Sequence, residues 1–131
     1  MDSSAIVTLL SGREYATELR AYLSERPGVP MATSSIGFVE TVRTLDQVGT
    51  FPGLMQDLTR DFTEILLTDE VRDGAALLSG RVRTLDAIHV ASAQVLGAAL
   101  DSLISYDKRM LEVATAAALP ATSPGFDPGR H

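Results

Sequence analysis

The sequence predicts an α/β fold on a parallel sheet. Short apolar runs alternate with stretches of helical spacing along nearly the whole chain. Strand candidates recur with a helix between them, which is the connection that parallel pairing requires. Size sets the scale: 131 residues, 45% hydrophobic and 21% charged, make one domain that buries a core without covalent staples.

The elements follow in order. Ala5 to Leu10 continues into a helix, and Asp2 follows the only position open to a first strand, with Met1 alone ahead of it. Glu14 to Ser24 carries Tyr15, Leu19, Tyr22 and Leu23 at helical spacing and ends at Pro27-Gly28. Val29–Ala32 is a short strand, and Ser34 or Ser35 caps a helix running to about Val48. Pro52 to Phe62 is a helix whose Phe51, Leu54, Met55 and Leu58 form a core face or part of a partner groove. Glu64–Leu67 is strand-like, and Thr68-Asp-Glu opens a helix with acids where the dipole favours them. Thr84 caps an apolar helix that Gly97 closes, Ser102–Ser105 is a strand, and Asp107 caps the helix Lys108–Ala118. From Pro120 onward the chain is dense in helix and strand breakers.

Composition removes several chemistries. There is no cysteine, hence no disulfide, thiolate zinc site or cysteine nucleophile. Two histidines, His89 and the terminal His131, are too few for a histidine-rich metal site. No apolar run approaches the ~20 residues of a membrane span, and the opening MDSSAIVTLL lacks the basic start of a secretion signal, so the chain reads as cytoplasmic with no membrane partner. A net charge of −6 argues against nucleic-acid affinity built on bulk positive charge.

Four acids stand at element junctions: Asp2, Glu40, Asp86 and Asp107. With parallel strands all four can face the crevice beyond the strand ends. Carboxylates gathered there repel unless cations lie among them, and oxygen-only ligands select Mg2+ or Mn2+. Each acid also has a plain structural role, as a helix cap, a dipole partner or a solvated charge. His89 shares a helix face with Asp86, and a buried, hydrogen-bonded imidazole is its favoured reading. Ser4 and Ser105 are placed to add hydroxyl contacts to Asp2 or Asp107.

Four local segments occur in order: Asp2-Ser-Ser-Ala-Ile-Val, Ser34-Ser-Ile-Gly-Phe-Val-Glu40, Arg83-Thr-Leu-Asp-Ala-Ile-His-Val-Ala-Ser-Ala93 and Ser105-Tyr-Asp-Lys-Arg-Met110. Together they resemble the PIN-domain ribonucleases, specifically VapC-type toxins of bacterial toxin–antitoxin pairs. The resemblance runs to about Gly125, giving a PIN domain over 1–125 and a tail over 126–131. It implies a three-layer α/β/α PIN-like fold around a mostly parallel β-sheet. It also implies endoribonuclease activity with Mg2+, or Mn2+, held by Asp2, Glu40, Asp86 and Asp107, with Ser4 and Ser105 in support. The expected products are a 5′-phosphate and a 3′-hydroxyl. Implied partners are RNA, a VapB-type antitoxin and a second copy of the chain. Arg43, Arg81, Arg83, Lys108 and Arg109 lie nearest the acids in sequence and are the candidates for RNA phosphate contacts. The alternative is a catalytically inactive PIN-like module that acts by binding a partner.

Overall fold

The structure, a computed structural model, describes residues 1–127. Seven α-helices and four strands alternate: α1 Ser3–Ser11, α2 Ala16–Ser24, β1 Met31–Ser34, α3 Ser35–Val48, α4 Leu54–Asp61, β2 Phe62–Ile65, α5 Asp69–Ala76, α6 Thr84–Gln94, β3 Leu103–Ile104, α7 Lys108–Ala116 and β4 Ala121–Thr122. Of the expected tail over 126–131, Phe126 and Asp127 are described and the rest lies outside the described residues.

Both strand pairings are parallel. β1 pairs with β2, from Met31 opposite Phe62 to Ser34 opposite Ile65. β3 pairs with β4, Leu103 opposite Ala121 and Ile104 opposite Thr122. Met1 and Asp2 lie between the two pairs. The Met1 ammonium donates to the Ala32 carbonyl at 2.7 Å, and the Asp2 amide donates to the Ile104 carbonyl at 3.2 Å. Met1 and Asp2, at the position open to a first strand, thus bond to both pairs without being assigned as strand, and α1 begins at Ser3. A cavity of about 660 Å³ separates the pairs beyond Met1, bordered by Ala32, Ile104, Tyr22, His89 and Ala93.

Strand alternation makes the layers. Leu103 points into a cluster with Val90 of α6 and Met110 and Ala114 of α7. Its neighbour Ile104 points the other way, onto Ala5 of α1 and Leu19 of α2. A third cluster joins Ile6, Leu58 and Phe62, with Phe38 and Val42 of α3 packed against it. Helices thus cover both faces of the parallel strands. Ile6, Leu19, Leu45, Leu58 and Val90 are almost wholly buried, each contributing roughly 1.5–3 kcal/mol of transfer free energy.

Four expectations shift. β1 and β2 each differ by two residues from the apolar runs Val29–Ala32 and Glu64–Leu67, and Leu66 and Leu67 end up exposed. Thr84 is the first residue of α6, whose cap position is Arg83 with no side-chain capping bond. The breaker-rich end contributes β4, held by Leu103 N–H to the Pro120 carbonyl and Ser105 N–H to the Thr122 carbonyl. Of the α4 face, Leu58 is buried and Leu54 packs on the core, while Met55 is exposed.

Candidate active site

The first acid is buried and held from three directions. Asp2 caps α1, its Oδ1 accepting from the Ala5 amide at 3.1 Å and from the Ser4 hydroxyl at 2.6 Å. Its Oδ2 accepts from the Ser105 hydroxyl at 2.5 Å. Each serine oxygen in turn accepts from an amide of the loop after β3, Tyr106 N–H to Ser4 and Asp107 N–H to Ser105. The pair Ser4–Ser105 therefore ties the start of α1 to the loop that carries Asp107. Burial pushes the Asp2 carboxyl above its ordinary range, against the Ser105, Ser4 and Ala5 hydrogen bonds and the nearby ammonium. Burial also lowers the Met1 ammonium to about 6, although the Asp2 charge favours it.

The second group gathers around a guanidinium. Arg83 Nε lies 3.0 Å from Asp86 Oδ2, and Arg83 Nη2 lies 3.7 Å from Asp107 Oδ2. Asp107 uses its other oxygen to cap α7, accepting from the Arg109 amide at 2.9 Å. Asp86 sits in the first turn of α6 and is buried. Glu40, half-buried in the second turn of α3, belongs to the same field. Its carboxyl is raised by burial and by repulsion from Asp2 and Asp86, and lowered by a Ser3 hydrogen bond and by Arg83. Asp2 and Asp86 thus both repel Glu40, and Arg83 links Asp86 to Asp107. Among the described residues no three His, Cys, Asp or Glu side chains close on a common point as metal ligands.

A buried hydrogen bond braces the helices that carry these acids. Ser34 caps α3 by accepting from the Gly37 amide at 3.0 Å, and its hydroxyl is also hydrogen-bonded to His89 Nδ1, 3.0 Å away on α6. Burial, followed by the charge of the N-terminus, drives the His89 pKa down to about 3. His89 is neutral and structural, as its favoured reading holds. The neighbouring Thr33 hydroxyl is buried without a partner among the described residues, and Gly37 leaves it room: a Cβ there would collide with Thr33 Oγ1.

Of the basic candidates, only Arg83 touches the acids. Arg43, Arg81, Lys108 and Arg109 are exposed and form no side-chain ion pair among the described residues. Sequence reasoning missed Ser3 as a partner of Glu40 and Ser34 as a partner of His89, and it did not foresee that Arg83 bridges two carboxylates. The three-residue spacing from Arg83 to Asp86 carried that last signal, since such pairs meet on a helix.

Parallel strands flanked by helices, with acids following β1 and β3, define the class: the PIN domain model matches residues 1–116, and the chain belongs to the PIN domain family. Its relatives narrow the comparison to one branch. The chain is 34% identical over 131 residues to Ribonuclease VapC47 of Mycobacterium tuberculosis (strain CDC 1551 / Oshkosh), covering 95% of this chain and 96% of that protein. It is 36% identical over 126 residues to Ribonuclease VapC46 of M. tuberculosis (strain ATCC 25618 / H37Rv), covering 95% of each. To Ribonuclease VapC35 of the first strain it is 30% identical over 132 residues, covering 95% of this chain and 96% of that protein. No solved structure matches the chain. No described helix is long and apolar enough to cross a membrane.

Proposed function

We propose that this chain is a divalent-metal-dependent endoribonuclease of the VapC toxin type, acting in the cytoplasm and restrained by a VapB-type antitoxin. The observation that carries the reading is the burial of two acids, Asp2 and Asp86, whose charges both act on Glu40, in a member of the PIN domain family. Buried like charges kept together are costly unless a cation joins them. The donor set is oxygen only, which fits Mg2+ or Mn2+. Asp2, Asp86 and Asp107 are the residues to hold the ion, with Glu40 direct or through water. Such an ion polarises a phosphodiester and lowers the pKa of water at its side.

The chain's own residues set the rest. Ser4 and Ser105 fix both oxygens of Asp2, so the carboxylate keeps one orientation. The His89–Ser34 bond holds α6 to the start of α3 and with it Asp86 to Glu40. Arg43, Arg81, Lys108 and Arg109 meet RNA phosphates as exposed cations without an ion pair among the described residues, while the overall charge of −6 keeps nonspecific RNA binding weak. Hydrolysis adds water across the P–O3′ bond, leaving a 5′-phosphate and a 3′-hydroxyl. Association of two copies fits the exposed apolar residues Leu66, Leu67 and Leu77.

Purified, antitoxin-free protein should cut structured RNA with Mg2+, stop with EDTA, and lose at least about 100-fold activity as Asp86→Asn. Expression alone should arrest growth, and the Asp2→Ala variant should not. Cleavage without a divalent ion refutes the metal mechanism, and no cleavage of any RNA favours the inactive binding module.

A further inference from the structure

Among the described residues Arg83 stands apart from the other cations because it turns the Nε–Nη2 edge of its guanidinium to acids of the candidate centre. Its Nε meets Asp86 Oδ2 at 3.0 Å and its Nη2 faces Asp107 Oδ2 at 3.7 Å. Its charge also reaches Glu40. The oxygens it contacts are the ones a cation needs. On Asp107 the other oxygen already serves the Arg109 amide, so Oδ2 is the atom left for a ligand bond. A guanidinium against these two oxygens and a divalent ion against the same two exclude each other, through charge and through space.

We propose that Arg83 is a built-in counter-ion that competes with the divalent cation for Asp86 and Asp107 and swings into solvent when the cation enters. The inference rests on the metal reading above and deepens it. Two features suit Arg83 to the exchange. Its side chain is 58% exposed while that of Asp86 is 11% exposed, so the arginine leaves with little loss of packing and the acid stays in place. The Arg83 side chain is also not engaged as a helix cap: the residue occupies the cap position of α6 in extended backbone and its side chain makes no capping bond. While it is in place, its charge offsets part of the repulsion among acids that no three-ligand cluster yet gathers. The consequence is a centre whose cation affinity is held down by one side chain.

The test is Mn2+ binding by calorimetry on the full chain, comparing wild type, Arg83→Gln and Arg81→Gln. Arg81→Gln removes the same charge from an exposed neighbour that forms no ion pair among the described residues. Arg83→Gln should bind Mn2+ about five- to tenfold tighter than wild type, and Arg81→Gln within about twofold. Without metal, Arg83→Gln should melt below wild type, and saturating Mn2+ should raise its Tm by more. A merely structural arginine would give the lower Tm without the tighter binding. Equal or weaker affinity in Arg83→Gln overturns the competition while leaving the metal centre standing. Absence of Mn2+ binding in both proteins overturns the centre and the competition together.

Discussion

Acidification should loosen this protein through His89 below about pH 6.5, after the buried Met1 ammonium has acted in the same sense at higher pH. The His89 ring is buried and neutral, with a pKa of about 3 against 6.5 for an ordinary histidine. Between those values the unfolded chain binds a proton that the folded chain refuses, so stability falls as pH falls from about 6.5. At pH 5 the loss is about 2 kcal/mol, from 1.36 kcal/mol per unit over the roughly 1.5 units below the unfolded value. The assay is urea denaturation at pH 7, 6 and 5 for wild type and His89→Asn, whose side-chain amide can still hydrogen-bond to Ser34. Taking the difference between the two proteins cancels the carboxylates. Asp2 and Glu40 have raised values and so act in the opposite sense, giving stability at low pH that is lost as pH rises. Wild type should lose about 2 kcal/mol more than His89→Asn between pH 7 and 5. Parallel pH profiles would refute the account of a neutral His89 bracing α3 against α6.

Two further substitutions probe the frame of the site. Gly37→Ala puts a methyl group against the Thr33 hydroxyl and should cost about 1–3 kcal/mol of packing; in a Thr33→Ala background that cost should vanish, a coupling read from a double-mutant cycle. Ser105→Ala removes the proton donated to Asp2 Oδ2 and should cost about 1–3 kcal/mol in chemical denaturation. It should also lower RNA cleavage, because the Asp2 carboxylate loses one of its two serine restraints.

What the sequence made legible is what local chemistry decides. The caps read at Ser34 and Asp107 form and Thr68 opens α5 as a cap, because a short acceptor side chain ahead of a helix has an amide to satisfy, whereas Thr84 lies one residue inside α6 and the cap at Asp2 was not foreseen. The strands were less legible. Leu66 and Leu67 look like strand but lie exposed beyond it, since the end of β2 is set by its register with β1, where Ser34 meets Ile65. β4 is two residues framed by Pro120 and Pro124, and it exists only because β3 offers it partners. The acids were found as residue types at junctions. Their orientation rests on contacts such as Ser105 to Asp2, 103 residues apart, and on Arg83 reaching two helices at once, neither of which a periodic pattern encodes.

The central claim is that Asp2, Asp86 and Asp107, with Glu40 beside them, hold one divalent centre. The most direct measurement is anomalous scattering from crystals of the protein grown or soaked with Mn2+. A peak within bonding distance of Asp2 and Asp86 oxygens, with Arg83 turned away from Asp107, is the predicted result. Mn2+ bound only elsewhere on the surface, with Arg83 still against both carboxylates, would contradict it.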